Sequence, residues 1–206
     1  WKALTCPLDI RDIVQLGDTT YCATGGGLLL FYDTSFEVLT TVDELYGIDL
    51  LSISKDRYNN IWIGGKSPIG FVQIYNDKKN SVETFDYGLT EITNFYIGDS
   101  TALASFVDGQ DIGLIKWIYS DYQWSYRDIY KNFPFLIEKI NGIEIVNQHV
   151  FIGTDSGLLI GDSRENLKDP SNWELASNEF NISINAMRRI ENGFAFILNR
   201  NIYKVI

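Results

Sequence analysis

The chain has 206 residues, of which 45% are apolar and 14% aromatic, with two cysteines and one histidine, and this is apolar material enough for sizeable buried cores. Seventeen Lys and Arg against 27 Asp and Glu leave a net charge of −10, which argues against a nucleic-acid groove, whose affinity depends on clustered cations, and against docking on an anionic membrane surface. No run approaches the roughly 18 uninterrupted apolar residues of a membrane-spanning helix, so direct membrane insertion is not expected.

In chain order, Trp1-Lys2-Ala3-Leu4 reads as an outermost strand with no sheet of its own in front of it. Thr20-Tyr21-Cys22-Ala23-Thr24-Gly25-Gly26 then opens a pattern that returns as Asn59-Asn60-Ile61-Trp62-Ile63-Gly64-Gly65 and as Gln148-His149-Val150-Phe151-Ile152-Gly153-Thr154. In this alignment Cys22 takes the aromatic slot of Trp62 and Phe151, and both aromatic residues are expected to be buried between sheets. Aligning Thr24, Gly64, Ala104, Gly153 and Ile197 gives intervals of 40, 40, 49 and 44 residues, which suits a four-stranded propeller blade rather than a leucine-rich repeat of ~20–29 residues. The apolar spacing has period two (Ile61/Ile63, Val150/Ile152, Phe194/Phe196), the signature of strands.

The second unit predicts strands at Leu50–Ser54, Asn60–Gly64, Gly70–Ile74 and Val82–Phe85, separated by the polar turns at 55–59 and 76–80. Asn and Asp end strands there because their side chains bond the local backbone and tolerate left-handed conformations. The outermost strand opens on Trp in Gln123-Trp124-Ser125 and Asn172-Trp173-Glu174. Blades are predicted at 9–47, 48–87, 88–134 and 135–181, with 182–206 an incomplete unit. The expected fold is therefore all-β, a β-propeller of four-stranded blades with about five blades, residues 1–206 forming one propeller domain or propeller segment. Either a five-bladed ring closes by pairing Trp1–Leu4 beside the last unit, which removes exposed edges, or the chain is the first part of a larger, seven-bladed ring; the larger ring is the preferred expectation.

Ile48 to Asp56 followed by Asn60-Ile61-Trp62-Ile63-Gly64 resembles the repeat of the two-component-regulator propellers, in which a D-x-x-G-N-I-W-I-G-T pattern ends in Gly-Leu. The tail of that pattern stands at Phe151–Leu158 and at Ala23–Leu28, while Ala102-Leu103-Ala104-Ser105 lacks the glycine. The opening, Trp1 through Leu29, also resembles the N-terminal propeller of PorZ-type surface proteins of the type IX secretion system. The resemblance implies a periplasmic, surface or secreted location and a non-enzymatic propeller that binds a protein or a small extracellular ligand. It also leaves open the sensor region of a hybrid two-component histidine kinase.

Catalytic motifs are scarce. His149 aligns with Asn60 at a turn leading into a strand and reads as a turn residue. One His and two Cys cannot complete a four-ligand zinc site without carboxylates, and neither an H-E-x-x-H nor a paired C-x-x-C spacing occurs. Gly25-Gly26-Gly27 is not followed by a helix and reads as a hairpin turn, not a phosphate cradle. Asp108-Gly109-Gln110-Asp111 and Asp155-Ser156-Gly157 offer oxygen ligands without calcium-loop spacing and fall where third strands begin. A disulfide between Cys6 and Cys22 is not favoured, and the sequon at Asn181-Ile182-Ser183 carries little information. No cofactor, metal or catalytic residue is expected. The competing class is a propeller-fold carbohydrate-active enzyme, which would need two carboxylates flanking a sugar, and none here is distinguishable from a turn Asp.

Binding is expected on the face that gathers the loops after each second strand and those joining successive blades. Those loops carry Asp9, Asp43, Glu44, Asp49, Asp86, Asp108, Asp128, Asp155 and Glu179 against Arg11, Lys66, Lys131 and Arg200. A cationic patch on a partner would suit them, with salt-sensitive association. Tyr46, Tyr87 and Tyr130, with Asp49 and Asp128, are the candidate binding residues, since Tyr buries a large surface at low entropic cost.

Overall fold

A computed structural model describes residues 5–76, 81–177 and 180–206. The strand expected at Trp1–Leu4, most of the turn at 76–80 and the loop acid Glu179 lie outside the described residues. Strands take 63% of the chain and helix 4%, which decides against a helical repeat of the same period.

The first sheet runs β1 (Ile10–Leu16), β2 (Thr19–Thr24), β3 (Gly27–Tyr32) and β4 (Ser35–Leu39). The second runs β5 (Asp49–Lys55), β6 (Ile61–Ser67), β7 (Gly70–Asn76) and β8 (Ser81–Leu89), and the third β9 (Glu91–Ile97), β10 (Thr101–Asp108), β11 (Asp111–Ser120) and β12 (Gln123–Tyr130). The fourth runs β13 (Ile140–Val146), β14 (His149–Thr154), β15 (Gly157–Asp162) and β16 (Trp173–Leu175), and the fifth β17 (Ala186–Ile190), β18 (Gly193–Leu198) and β19 (Asn201–Val205). Each sheet is ordered as its strands follow in sequence, the β-meander of a propeller blade, so the fold class is the expected all-β propeller. By compactness the chain divides into one unit of residues 1–99 and 106–109 and another of 100–105 and 110–206.

The turns follow from local chemistry. Asp121-Tyr122, Asn147-Gln148 and Asn199-Arg200 each place two consecutive residues at positive φ, the two-residue hairpin geometry whose twist matches that of the flanking strands. A second device recurs on the opposite hairpins. Thr24 Oγ1 donates to Gly27 O at 2.7 Å and accepts from Gly26 N at 3.0 Å; Thr154 does the same with Gly157 O and Ser156 N at 2.8 and 3.0 Å. This clip explains why the first and fourth sheets end their second strand on Thr, two turn residues and a glycine.

The strand register corrects one expectation. Arg11 interrupts the β1–β2 ladder between Ile10↔Thr24 and Asp12↔Ala23, Leu51 interrupts β5–β6 between Leu50↔Gly65 and Ser52↔Gly64, and Asn141 interrupts β13–β14 between Ile140↔Thr154 and Gly142↔Gly153. These bulges make Thr24, Gly65 and Thr154 equivalent. Tyr21, not Cys22, therefore occupies the slot of Trp62 and Phe151, and Cys22 matches Ile63 and Ile152. Trp62 is fully buried and meets Phe95 edge-on at 6.0 Å; Phe151 is buried against Phe194 at 4.9 Å. Both cysteines are free thiols, Cys22 buried and Cys6 exposed.

Each unit holds its own apolar core. In the first, Tyr21, Ala23, Leu28 and Leu30 pack with Leu50, Ile53, Ile61, Ile63 and Phe71. In the second, Phe151 and Leu158 pack with Ile184, Met187, Phe194 and Phe196. Polar straps cross the sheet seams beside these cores. Arg11 Nη1 donates to Leu50 O at 2.9 Å, Ile53 N to Asp12 Oδ2 at 3.1 Å, Lys55 Nζ to Gln15 O at 2.7 Å and Asn141 Nδ2 to Ile184 O at 2.8 Å. A bulged residue on an innermost strand thus reaches the backbone at the following seam in both units, at Leu50 within β5 and at Ile184 just ahead of β17.

Candidate binding surfaces

In the first unit, Asp49 opens β5 and is ion-paired with Arg11 and, at 3.8 Å, with Lys66. Arg11 also binds Asp9, its Nη2 lying 2.8 Å from the carboxylate. Two of the expected loop acids are therefore bound to two of the expected cations. Tyr46, in the β4–β5 connection, is half-buried with its ring 5.0 Å from Phe71. Its hydroxyl donates to Asp86 Oδ2 at 3.0 Å, and that bond is the first cause of its raised pKa. Its amide donates to Gln73 Oε1 at 3.0 Å, and Gln73 Nε2 donates to Glu44 O at 2.8 Å, so a buried glutamine of β7 holds the connection in place. Tyr87, next to Asp86, is half-buried and stacked on Phe85. The structure thus joins Tyr46 to Asp86, while Tyr87, stacked on Phe85, lies on the other face of β8.

In the second unit, Tyr130 closes β12 and is 6% exposed. Burial, followed by the charge of Asp128, pushes its hydroxyl pKa up to about 12. Asp128 lies opposite Lys116 in the β11–β12 register, binds Lys168 Nζ at 2.6 Å and accepts the Ile129 amide at 2.9 Å. Burial lowers the Lys116 pKa and Asp128 works against it. Both candidates therefore sit at the root of the β12–β13 connection.

That connection forms a concavity. A groove of about 540 Å³ is lined by Ile112, Lys131, Asn132, Phe135, Leu136 and Pro170, among others. Lys131 Nζ and the Asp111 carboxylate face each other at 3.9 Å, while Leu136 is 77% exposed at the rim. Both ends of the loop are pinned: Asn132 Nδ2 donates to Lys168 O at 3.4 Å, and Asp155 Oδ1 accepts the Glu138 and Lys139 amides at 3.0 Å each. Phe133 anchors the middle against Trp173 at 5.4 Å. The resulting surface presents an apolar rim beside a fixed ion pair and amide groups, a composition suited to a protein segment. The only signal for it in the sequence is the apolar run Phe133-Pro134-Phe135-Leu136-Ile137 inside a connection.

Other loop acids are committed to the backbone. Asp43 closes a capping box with Thr40, Asp155 holds the loop just described, and Asp169 caps the turn at Ser171. His149 starts β14, its Nδ1 lying 3.1 Å from Asn147 O, the turn position its sequence context predicts. Among the described residues no group of three or more His, Cys, Asp or Glu is placed to hold a metal ion.

Solved structures share this fold. PorZ of Porphyromonas gingivalis, described as an essential bacterial surface component of the type IX secretion system, superposes on the whole of this chain with a TM-score of 0.72 and 16% identity. The extracellular domain of a hybrid two-component system of B. thetaiotaomicron gives 0.66 and 16% over 91% of the chain, and a CNH domain gives 0.64 and 8% over 95%. The chain spans 28% of the PorZ structure and 26% of the two-component one. No protein-family model and no curated protein sequence matches it. At these identities the likeness establishes the fold, and this chain resembles the propellers of PorZ and of two-component-system extracellular domains.

Proposed function

We propose that this chain is an extracytoplasmic, non-enzymatic β-propeller module that acts as a binding scaffold within a secreted or surface protein of the type IX secretion system. The observation that carries the reading is the match along the full chain to a surface component of that system. The disposition of the acids supports a non-enzymatic role. Glycoside hydrolysis needs one carboxyl ready to give a proton and a second facing it across the sugar, whereas Asp43, Asp49, Asp56, Asp128, Asp155 and Asp169 are bound to backbone amides or cations, and Glu144, whose pKa burial raises to about 7, is 8% exposed on an innermost strand.

The partner is a protein, engaged by the β12–β13 groove and its exposed Leu136, with the Tyr46–Asp86 pair as a further contact. The net charge of −10 favours a cationic patch on that protein, so association weakens as salt rises. A photo-crosslinking residue at Leu136 in the native protein, in intact cells, tests the reading. Expected are a discrete protein adduct and cleavage by external protease, with no adduct from the same residue at the turn position Tyr122. A cytoplasmic protein with no adduct overturns the proposal.

The match to an extracellular two-component domain favours a second reading, the sensor region of a hybrid histidine kinase. That reading predicts a small ligand that raises the melting temperature without a protein adduct.

A further inference from the structure

Glu144 lies on β13, the innermost strand of the fourth sheet, and is 8% exposed. Its register partner is Phe151, and paired residues of neighbouring antiparallel strands project to the same side of a sheet. That side is the one on which Phe151 meets Phe194 of β18, so Glu144 faces the seam with the fifth sheet. The seam is tight. A Cβ at Gly142 would stand 2.5 Å from Met187 Cβ, so the missing side chain is what lets β17 approach, leaving little space for water around a carboxylate. The neighbouring residues Ile145 and Val146 line a hollow of about 400 Å³ with Arg189 and Glu191, which brings solvent within one residue of the carboxyl.

We infer that Glu144 is a proton-operated latch at the seam between the β13–β16 and β17–β19 sheets: the neutral carboxyl is accommodated against β17, and the carboxylate loosens the β17–β19 sheet from its neighbour. The charged groups that bear on it are Arg189 and Arg188 of β17, both of which favour the carboxylate. On β14 its register partner Phe151 shares a face with His149, the titratable residue opposite Val146, and Glu191 follows β17 beside Arg189. Burial outweighs the two arginines and the hydrogen bond from the Arg189 backbone, which also favours the carboxylate, and pushes the Glu144 pKa up from 4.5 to about 7. A carboxyl whose pKa is higher folded than unfolded contributes its full share of stability below about 4.5 and loses it as pH rises towards 7. The fifth sheet should therefore open more readily at neutral and alkaline pH than at pH ~5.5.

Amide hydrogen exchange on the full chain, corrected for intrinsic rates, reads this opening, with the β1–β4 sheet as reference in the same molecule. Protection of β17–β19 should fall by roughly tenfold or more between pH ~5.5 and ~8, since each unit of pKa difference is worth a factor of ten. In Glu144→Gln, an isosteric neutral side chain, protection should stay high across that range. Constant protection in the native chain overturns the inference. So does protection that rises with pH, which would mean that Arg188 and Arg189 bind the carboxylate and tighten the seam. An unchanged pH response in the Gln variant overturns it as well. Should the variant fail to fold, carboxyl carbon NMR of native Glu144 decides: a titration midpoint above about 6 is expected, and one in the ordinary carboxylate range rules the latch out.

Discussion

Asp56 is 5% exposed, and its carboxylate accepts from the amides of Tyr58 and Asn60 at 2.8 and 3.0 Å, from Asn60 Nδ2 at 2.7 Å and from Trp62 Nε1 at 3.3 Å. A single side chain thereby satisfies the turn between β5 and β6 and orients the largest aromatic of the seam. Asp56→Ala leaves buried donors without acceptors and should cost about 3 kcal/mol in urea unfolding, with Asp56→Asn costing less because one carbonyl oxygen remains to accept. Glycines give a second contrast at this scale. Gly157 has φ +135 and a Cβ there would lie 2.7 Å from Phe180 O, whereas a Cβ at Gly153 would meet the Met187 sulfur and Ile184 Cγ2. Backbone cannot yield as a thioether can, and the left-handed conformation adds strain. Gly157→Ala should therefore lower the melting temperature more than Gly153→Ala; the reverse order would show that Met187 is the less forgiving neighbour.

At the scale of the strand pair, the bulges are structural devices. By adding one residue to the innermost strand they aim Arg11 and Asn141 at carbonyls of the following seam. Asn141→Ala removes one such bond and leaves Ile184 O to find another donor, so a loss of about 1 kcal/mol is expected in chemical denaturation; no loss would mean that solvent replaces the amide. The bulges also mark where the sequence stopped being legible. Strand ends were readable because Asn147-Gln148, Asp121-Tyr122 and the Thr154 clip impose their turns locally, and the predicted blades at 48–87 and 88–134 enclose nearly all of β5–β8 and β9–β12. Only the bulged pairing shows that Thr24 is equivalent to Gly65 and not to Gly64, and neighbouring glycines give composition no means to tell the two apart, which is why Tyr21 and not Cys22 takes the aromatic slot. The candidate residues failed to show their environment for a similar reason. Tyr130 lies buried opposite Leu114 of β11, a pairing its own strand does not reveal, and Glu144 reads in sequence as one more polar residue in an alternating strand.

For the whole molecule, stability in a repeat fold is close to a sum of unit and seam contributions, and the compact units of this chain carry apolar cores with no residue in common. Ile63 is fully buried in the core that joins the first and second sheets, and Ile184 in the core that joins the fourth and fifth. Trimming either to Val removes one methyl group from a close-packed site, at a cost of about 1 kcal/mol each. Sites without shared partners add, so the double variant should lose the sum of the two single losses to within about 0.5 kcal/mol. Equilibrium unfolding of the native chain, the two single variants and the double variant supplies the cycle. A coupling energy above that margin would show that a change in one core is felt in the other, and the description of stability as local seams would have to give way to one of shared strain. Additivity would mean instead that a loop in one unit can be altered without disturbing the core of the other.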